Sequence, residues 1–531
     1  MMLHKPVLKK AVARDPWLRH KAKVFAKVCS AAVHGIDAFP VEVEVNAARG
    51  GNKIIIVGLP DAAVRESQDR VCTALKNSAF NVPMGRTTIN LAPADVRKEG
   101  PIYDLPIAVG MLAASEQLET DQLESFILVG ELALNGLIRP IKGLLPIALR
   151  AKKDGRSGIL APIENASEAA VVGGLNVIPV GSLREATDFL SGKKRVSPLK
   201  VETDTLFNRA WQDELDMADV KGQESVKRSL EIAAAGGHNA LLIGPPGTGK
   251  SMLAKRLPSI LPPLTLEEAL ETTKVHSIVG RMEAGQALVT RRPFRDPHHT
   301  ASDAGLLGGN QNPTPGEISL AHNGVLFLDE LPEFKRSVLE TLRQPLEEGR
   351  VTISRAAGSM TFPARFQLIA AMNPSPDGKM PGESNCSPHE IQKYLGKVSG
   401  PLLDRIDIHI EVPQVKFREI SDARPGETSA AIRERVIAAR NIQRQRYEGK
   451  PNIPCNARMG PRELREHCQL DSATSDLLKM AMEENNLSAR AYDRILKVGR
   501  TIADLENSQR LSAEHILEAI QYRSLDRQIW G

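Results

Sequence analysis

The stretch that decides the fold is Gly244-Pro245-Pro246-Gly247-Thr248-Gly249-Lys250-Ser251. It follows the apolar run 240–243 and precedes a helical pattern over 252–257, so the order is strand, glycine-rich loop and helix. The glycines let successive backbone N–H groups turn towards phosphate oxygens, Lys250 can reach the β- and γ-phosphates, and the Ser251 hydroxyl can bind Mg²⁺. A chance glycine-rich turn would lack the strand and helix on either side. The stretch therefore predicts a nucleotide site at the end of a buried strand.

Length and composition indicate a globular protein with several domains. The chain has 531 residues, of which 42% are hydrophobic and 25% charged, and this length predicts about two to four domains. The net charge of +5 weakly favours an anionic partner. Aromatic residues make up only 4%, which argues against a base-stacking surface, so any nucleic acid would be contacted mainly through its phosphates.

Cysteine usage and hydropathy predict a cytoplasmic protein. The five cysteines are scattered and include no CxxC pair, so we expect neither a disulfide framework nor a zinc site built from cysteines. No apolar run approaches the length of a membrane span, and the start of the chain lacks the apolar segment of a secretory signal. We therefore expect a reducing compartment and no membrane partner.

The N-terminal third of the chain predicts an α+β domain over residues 24–191. Residues 1–23 are basic and irregular, as expected of a disordered extension or of a start codon placed too early. The apolar run 53–57 and a helical pattern over 61–78 then begin a series of strands and helices. Residues 192–218 are polar with little periodicity and are interpreted as a linker.

Segment 130–143 of this domain resembles part of the Lon protease catalytic fold, a ribosomal-S5-like domain. Lon-type proteases use a Ser-Lys dyad. Here the serine position falls around Tyr103-Asp104 and the lysine position near Leu145. Without a hydroxyl activated by a neighbouring base there is no nucleophile, so the resemblance implies the shape of the protease without its chemistry. We expect no peptidase activity.

An apolar strand that ends in two carboxylates lies at 325–330, downstream of the glycine-rich loop. Asp329 fits a residue that holds Mg²⁺ through the water shell of the ion. Glu330 fits the group that orients, or takes a proton from, the water attacking the γ-phosphate. The alternative is a buried strand whose acidic end merely meets solvent. Because a phosphate loop lies upstream in the same chain, the spacing favours the catalytic interpretation, a Walker B segment.

A second buried strand, 366–372, ends in an amide. Asn373 fits sensor 1, the residue that hydrogen-bonds the attacking water or the γ-phosphate, although an asparagine before a proline also suits an ordinary turn. Between the two strands, residues 349–362 predict a β-hairpin that turns at 356–359.

Arginine residues in two later segments complete the candidate site. Arg405 lies between two acids and fits an arginine finger, which would reach the γ-phosphate bound by a neighbouring subunit. The alternative is a local ion pair with Asp404 or Asp407. Arg490, near the start of a C-terminal helix, fits sensor 2, and Arg494, one turn along the same face, is the second choice.

Together these motifs resemble the AAA+ ATPases of the helix-2-insert clade, and most closely the magnesium-chelatase-like YifB/ComM family. The resemblance extends from about residue 24 to the C-terminus. It implies an α/β fold in which the Lon-like domain precedes an ATPase core at 219–416, with a parallel sheet, and a helical lid at 417–531. It also implies ATP and Mg²⁺ as cofactors, a homo-oligomer that is expected to be a hexamer, and a DNA helicase that promotes branch migration in recombination. The further segments that carry the resemblance are 39–41, 90–95, 292–299 and 315–324.

One departure from the family concerns metal binding. Many relatives carry several cysteines just after sensor 1, whereas here that segment leads to Cys386 alone, so we expect no zinc. The pair His298-His299 suggests a metal ligand, but adjacent residues on an extended strand point to opposite faces. We expect a structural or substrate-facing role for this pair in the insert.

Three functions remain open from the sequence. The first is a ring motor acting on single-stranded or branched DNA, the second is a magnesium-chelatase-type ATPase that remodels a protein partner, and the third is a nucleotide-gated scaffold. The N-terminal domain favours the first over the second, because a chelatase motor subunit normally lacks it. Glu330 and Arg405 argue against the third.

The expected DNA contacts are the insert within residues 276–320 and the hairpin that carries Arg350 and Arg355. In a ring, both elements would face the central pore and grip phosphates without sequence preference. The alternative is that the two arginines pair with Glu347 and Glu348 on a solvated face.

Overall fold

The computed structural model describes ten stretches of the chain, which divides into two units. The first unit comprises residues 1–201 and 283–287, and the second comprises residues 202–282 and 288–531. The predicted N-terminal extension, 1–23, lies outside the described residues. The described stretches are 25–48, 50–51, 53–209, 215–309, 313–355, 358–380, 382–414, 426–450, 452–484 and 487–525.

A seven-stranded mixed sheet organises the first unit, in the strand order β3-β4-β2-β1-β5-β8-β9. The pairs β1·β2 and β2·β4 are antiparallel, and the other neighbours are parallel. The strands are β1 (Phe25–His34), β2 (Asp37–Ala48), β3 (Lys53–Val57), β4 (Arg86–Ala92), β5 (Phe126–Leu128), β6 (Glu131–Leu132), β7 (Ile138–Arg139), β8 (Gly158–Pro162) and β9 (Asn176–Val180). The α-helices are Ala62–Asn77, Asp104–Ala114, Leu144–Lys153, Ala166–Ala170 and Leu183–Leu190.

The first helix of this unit shows why the local sequence pattern was sufficient to predict its bounds. It runs from Ala62 to Asn77, close to the predicted range 61–78. The carboxylate of Asp61 accepts a hydrogen bond of 2.7 Å from the backbone N–H of Val64, which satisfies one of the free donors at the helix start. The strand predicted at 53–57 has those same bounds in the structure.

The two positions that correspond to the protease dyad carry packed side chains. Asp104 is fully buried and accepts hydrogen bonds from Arg70 Nε at 2.9 Å and from the hydroxyl of Ser67. Burial raises the pKa of this carboxyl group, and the contacts with Arg70 and Ser67 offset only part of that effect. Leu145 is fully buried, and its backbone N–H donates to Glu168 Oε1 at 2.7 Å. Asp104 thus belongs to a buried ion-pair network, and Leu145 belongs to the apolar core.

A five-stranded parallel sheet organises the second unit, in the order β11-β14-β17-β10-β18. Its three central strands are buried along their whole length, as expected where helices cover both faces of a parallel sheet. The strands of this unit are β10 (Ala240–Ile243), β11 (Phe294–Arg295), β12 (Gly308–Gly309), β13 (Thr314–Pro315), β14 (Val325–Leu328), β15 (Arg350–Arg355), β16 (Gly358–Pro363), β17 (Gln367–Met372) and β18 (Ile408–Glu411).

The helices of the second unit surround this sheet and then form an all-helical C-terminal part. This confirms the predicted α/β fold with a parallel sheet and a helical C-terminus. Helices up to β18 are Thr203–Arg209, Glu224–Gly236, Lys250–Ile260, Leu266–Val279, Asp303–Leu307, Glu317–Leu320, Arg336–Thr341, Arg343–Glu348, Pro388–Leu395 and Gly400–Leu403. The C-terminal helices are Ser429–Arg446, Pro461–His467, Ser472–Glu484, Ala489–Leu505 and Ala513–Gln521.

The segment interpreted as an irregular linker, 192–218, contains more structure than its sequence indicated. Val196 packs against the core of the first unit, and the backbone N–H of Leu199 donates to Val177 O at 2.8 Å. A helix of seven residues, Thr203–Arg209, follows. Two turns are too short to display a 3.6-residue apolar period, so the pattern could not reveal this helix.

The predicted hairpin is formed by β15 and β16, whose last described pair is Arg355 opposite Gly358. Residues 356 and 357 of the predicted turn lie outside the described residues. Val351 and Phe362, which lie opposite each other in the hairpin, are buried. In the stretches that the structure describes, no helix combines the length and apolar character needed to cross a bilayer.

Candidate nucleotide site

The glycine-rich loop connects the end of β10 to the helix that begins at Lys250. Gly247 and Gly249 adopt positive φ angles of 78° and 86°, a region that other residues rarely occupy. A Cβ atom at Gly244 would lie 2.2 Å from the carbonyl oxygen of Val412, so only glycine fits where the chain leaves the sheet. The backbone thus forms the open, inward-turning loop that phosphate binding requires.

Lys250 lies at the centre of the loop and links it to β17. Its Nζ donates to Gly244 O at 2.6 Å, to Pro245 O at 2.9 Å and to Asn373 Oδ1 at 3.2 Å. The residue is only 7% exposed, and burial lowers the pKa of the ammonium group, while the nearby charge of Asp329 acts in the opposite direction. The structure therefore brings the candidate sensor 1 amide directly to the phosphate-loop lysine.

Ser251 and Asp329 form the neighbouring pair, in which the serine hydroxyl donates to Asp329 Oδ2. The other carboxylate oxygen accepts the backbone N–H of Glu330 at 2.9 Å. A hydroxyl oxygen beside a carboxylate is the hard, oxygen-based donor set that Mg²⁺ prefers. The residues present thus fit a magnesium ion held between the loop and the end of β14.

Glu330 and Asn373 line one cavity of about 450 Å³ at the same edge of the sheet. Cys386, Tyr394 and Lys397 also line it. Burial raises the pKa of the Tyr394 hydroxyl to about 12, so this group remains a neutral donor at physiological pH. The cavity thus has room for a water molecule between the carboxylate of Glu330 and the amide of Asn373.

A second cavity, also of about 450 Å³, is lined by the loop itself. Asp219, Lys221 and Gln223 line it together with residues 246–249. Gln223 Nε2 donates to the carbonyl oxygens of Thr248 at 2.8 Å and Pro413 at 3.2 Å. Gln223 thus forms part of the wall of the phosphate-loop cavity, although it lies outside the glycine-rich motif.

Arg405, Arg490 and Arg494 are not brought to this edge. β18 runs parallel to β10, with Ile408 opposite Ala240. The phosphate loop follows β10, whereas Arg405 precedes β18, so the four-residue strand, about 13 Å long, lies between them. Within one chain, the three arginines therefore lie towards the edge of the sheet opposite the phosphate loop.

The helix Ala489–Leu505, called the lid helix below, holds the segment around Arg405 through two ion pairs. Arg490 Nη1 lies 2.7 Å from Asp404 Oδ2, and Arg494 Nη1 lies 2.6 Å from Asp407 Oδ1. The first pair is solvated, because the Arg490 side chain is 66% exposed, whereas Asp407 is only 2% exposed. The alternative interpretation, a local ion pair of Arg405 with one of these acids, is therefore wrong, since both acids pair with the lid helix.

Arg405 itself pairs with Glu347, and it also donates to the carbonyl oxygen of Pro401. Its side chain is 11% exposed, and within the described residues its Nε has no hydrogen-bond partner. Glu347 comes from the end of the helix Arg343–Glu348, 58 positions earlier, and no local pattern could have indicated this contact.

Asp407 anchors a buried polar chain that leads towards β10. His238 Nδ1 lies 3.0 Å from Asp407 Oδ2, and His238 Nε2 lies 2.8 Å from Thr501 Oγ1 on the lid helix. Burial alone would raise the pKa of the Asp407 carboxyl, but Arg494 and His238 outweigh it and hold that pKa well below its usual range. Burial lowers the pKa of His238, with Asp407 opposing it in part.

The histidine pair of the insert adopts a geometry that differs from the expected one. Residues 298 and 299 lie in a turn, closed by a 2.8 Å hydrogen bond from Ala301 N to His298 O. Their rings stack at 4.1 Å with an angle of 33°. The expectation of opposite faces is wrong, because it assumed an extended strand. His299 Nδ1 lies 3.0 Å from Glu330 Oε2, a contact that the sequence did not indicate.

The two hairpin arginines have different surroundings. Arg350 Nε lies 3.0 Å from Glu348 Oε2, as the alternative interpretation expected. Arg355 is exposed and donates only to the carbonyl oxygen of Ser354, at 3.4 Å, and no carboxylate of the described residues pairs with it. Arg355 is therefore the hairpin cation that remains available to a ligand.

Comparisons with known proteins cover nearly the whole chain. Family models match residues 216–420 as "Magnesium chelatase, subunit ChlI", 43–165 as "Subunit ChlI of Mg-chelatase" and 426–523 as "Magnesium chelatase, subunit ChlI C-terminal". The competence protein ComM of Haemophilus influenzae is 48% identical over 508 residues, which cover 94% of this chain and 98% of the relative. YifB of Escherichia coli, an uncharacterized protein, is 47% identical over 498 residues, covering 93% and 96%.

A more distant relative is the magnesium-chelatase 38 kDa subunit of Rhodobacter capsulatus, which is 23% identical over 316 residues, covering 56% of this chain and 83% of that subunit. Fold, site and matches together define the class as a magnesium-chelatase-like AAA+ ATPase. Within that class, the chain belongs to the YifB/ComM family.

Proposed function

We propose that this protein is an ATP-hydrolysing ring motor that acts on single-stranded or branched DNA as a helicase promoting branch migration. The observation that carries the proposal is the contact of Lys250 with Asn373 beside the contact of Ser251 with Asp329. Three separate sequence motifs thus meet at one edge of the parallel sheet. In this proposal, residues 219–416 are the ATPase core, 417–531 are the lid, and 24–191 are the Lon-like domain.

The proposed chemistry follows from the positions of these groups. Backbone N–H groups of 244–249 and the ammonium of Lys250 hold the phosphates of ATP, for which Lys250 exchanges its contacts with loop carbonyls. Ser251 and Asp329 hold Mg²⁺, which neutralises charge that develops on the phosphate oxygens. Glu330 and Asn373 orient the attacking water from the cavity that both line.

The arginines complete the site from a neighbouring subunit. Because Arg405 and Arg490 lie at the edge of the sheet opposite the phosphate loop, they can reach phosphates only across an interface between copies of the chain. In this proposal the rotation between neighbouring copies closes these head-to-tail contacts into a ring, and a hexamer is the expected size. Arg405 would exchange Glu347 for the neighbour's γ-phosphate and stabilise transition-state charge there.

Two observations support DNA as the substrate. Arg355 projects from the hairpin without a carboxylate partner among the described residues. The relative from Haemophilus influenzae, which aligns over almost its whole length, is called a competence protein. We place this activity in the cytoplasm, in keeping with five free cysteines. We also propose that no zinc is required.

A magnesium-chelatase-type ATPase that remodels a protein partner is the second candidate. The family models and the Rhodobacter capsulatus relative favour it. That relative aligns with 56% of this chain, while ComM aligns with 94%, so the greater part of the similarity lies with the first candidate.

Steady-state ATPase assays with and without DNA test the proposal. The wild-type protein should hydrolyse ATP, and single-stranded or forked DNA should raise the rate. Lys250→Ala should abolish nucleotide binding, whereas Glu330→Gln should bind ATP and not hydrolyse it, because only the water-orienting carboxylate is lost. Hydrolysis by Glu330→Gln at the wild-type rate would refute the site. An ATPase indifferent to every DNA form would favour the protein-remodelling candidate.

A further inference from the structure

The segment between β17 and the helix Pro388–Leu395 folds back on the carboxylate of Asp377. Asp377 Oδ1 accepts hydrogen bonds from the hydroxyls of Ser375 at 2.6 Å and Ser384 at 2.8 Å. Asp377 Oδ2 accepts the backbone N–H of Asn385 at 2.9 Å. These four residues are called the Asp377 cluster below. Because Ser384 and Asn385 come seven and eight positions after Asp377, one carboxylate joins the two halves of the segment.

The contacts of the Asp377 cluster favour an ionised carboxylate. The hydroxyl of Ser375 has the largest effect, followed by the backbone N–H of Asn385 and the hydroxyl of Ser384. Together they hold the pKa of the Asp377 carboxyl well below its usual range, although burial acts in the opposite direction. The carboxylate therefore stays an acceptor at physiological pH. None of the described residues of this segment belongs to a strand or helix, so the cluster supplies the contacts that bring its two halves together.

The segment borders both the catalytic cavity and the phosphate loop. Pro376 and Cys386 line the cavity that contains Asn373. Gly378 has a φ angle of 80°, and a Cβ atom there would lie 2.6 Å from Pro246 Cδ in the phosphate loop. Only a residue without a side chain lets the segment approach the phosphate loop this closely.

The helix after the segment returns the chain to Asn373. The hydroxyl of Tyr394, near the C-terminal end of this helix, is hydrogen-bonded to the backbone of Asn373. Asn373 itself immediately precedes the segment, and its Oδ1 lies 3.2 Å from Lys250 Nζ. The direction of the Asn373 amide thus depends on a closed path of contacts that passes through the Asp377 cluster.

We propose that Asp377 is a positioning residue for ATP hydrolysis, which fixes the direction of the Asn373 amide by joining the two halves of the segment. The proposal rests on the proposed function, because that function assigns Asn373 to the attacking water. Asp377 does not belong to the described lining of either cavity, so it acts through Asn373. Loss of the cluster would leave the phosphate loop able to bind ATP and would displace the amide that orients the water.

The test compares Asp377→Ala with matched variants in ATPase and ATP-binding assays. Its kcat should fall about ten- to hundredfold, the cost of a misplaced catalytic group. The Kd for a fluorescent ATP analogue should change less than about threefold, because Lys250 and Ser251 are unaltered. Asp377→Asn keeps one acceptor oxygen for the serine hydroxyls and should have an intermediate rate. Glu383→Ala removes an exposed carboxylate from the same segment and should match the wild type.

Double variants separate positioning from a general loss of structure. In the background of Asn373→Ala, Asp377→Ala should cause no further loss of kcat, because the group that it positions is already absent. Ser384→Ala should lower kcat in the wild type and add nothing in Asp377→Ala, because the two side chains share one hydrogen bond. Single-turnover measurements follow the slow variants.

The thiol of Cys386 reports on the cluster without depending on hydrolysis. Its backbone N–H donates to Ser384 Oγ at 3.1 Å, and the residue is half-buried. Modification by N-ethylmaleimide, followed at each cysteine by mass spectrometry, should be about three- to tenfold faster in Asp377→Ala. This is the change expected when the net free energy of one hydrogen bond no longer favours the closed segment. Cys72, half-buried in the first unit, should react equally in both proteins and serves as the reference.

The outcomes distinguish this proposal from the proposed function. A wild-type kcat in Asp377→Ala, a further loss of kcat in its double variant with Asn373→Ala, or an unchanged reactivity of Cys386 overturns the positioning role. If Asp377→Ala does not fold, Ser384→Ala takes its place with the same criteria. A wild-type kcat in Asn373→Ala overturns the assignment of Asn373 in the proposed function together with this proposal. An impaired Asn373→Ala beside a fully active Asp377→Ala overturns only the positioning role.

Discussion

Arg490→Ala offers the sharpest test of which subunit completes the ATP site. Arg490 contacts Asp404 at the edge of the sheet that faces away from the chain's own phosphate loop. If Arg490 serves the neighbour's site, an Arg490→Ala subunit keeps a good phosphate loop and presents a defective partner face. If Arg490 reached its own nucleotide, the defect would lie on the loop side instead.

The expected magnitude follows from the geometry of a ring. Each site combines the loop of one subunit with the arginines of the next, so an equal mixture of Arg490→Ala and Lys250→Ala subunits contains about one quarter of sites with both parts intact. Independent sites would then recover up to about one quarter of the wild-type rate. A mixture of Arg490→Ala with Arg405→Ala should recover nothing, because every subunit then has a defective partner face.

The assay is ATP hydrolysis after the two variants have been unfolded together and refolded, or co-expressed, with each pure variant as a baseline. Folding should be unaffected, because an ion pair whose arginine is 66% exposed contributes about 0–1 kcal/mol. Recovery with Arg405→Ala in place of Lys250→Ala would refute the reasoning and assign Arg490 to its own nucleotide. Full activity of pure Arg490→Ala would remove the residue from the site altogether.

Three further predictions concern DNA, the buried ion pair and pH. Arg355→Ala should weaken DNA binding equally across sequences and reduce the magnitude of the slope of log K against log salt by about one. Arg350→Ala should change this slope less, because Arg350 is already paired with Glu348. Fluorescence anisotropy over a salt series measures both slopes. Arg494→Met should destabilise the second unit by about 3–5 kcal/mol in urea denaturation, because a buried carboxylate loses its cation; a loss below about 1 kcal/mol would contradict this. Burial holds the folded-state pKa of His238 below its usual 6.5. Its contribution to the free energy of unfolding is therefore complete above pH 6.5 and falls as the pH drops below that value, by up to about 1.4 kcal/mol per pH unit. His238→Gln should flatten this decline when unfolding is measured over a pH series.

The phosphate-loop edge of the site could be predicted because its determinants are local. Strand β10 was predicted with its observed bounds, since an apolar run next to a glycine-rich loop has one ready explanation. Asp329 and Asn373 follow buried strands, and the carboxyl ends of parallel strands meet at one edge. The strand order, 11-14-17-10-18, could not be obtained in this way, because it depends on which strands pair over long distances in the chain.

Two contacts of the site that could not be predicted from the sequence join residues far apart in the chain. The alternative interpretation paired Arg405 with Asp404 or Asp407, yet its partner Glu347 lies 58 positions away. His299 and Glu330 are 31 positions apart and meet only because β11 and β14 run side by side. Local charge patterns indicate that an arginine needs a partner, and the packing of the sheet and helices decides which partner it obtains.

The same packing gives the lid helix a role that no single motif describes. Arg490 and Arg494 are one turn apart on that helix, and their partners, Asp404 and Asp407, flank Arg405 in the chain. A shift of the lid helix must therefore move the segment that carries Arg405 or break a buried ion pair, which is the costlier event. In the proposed ring, the lid of one subunit would thereby set the position of the arginine that it presents to its neighbour. The position of the lid would then influence hydrolysis at the adjacent site through Asp407.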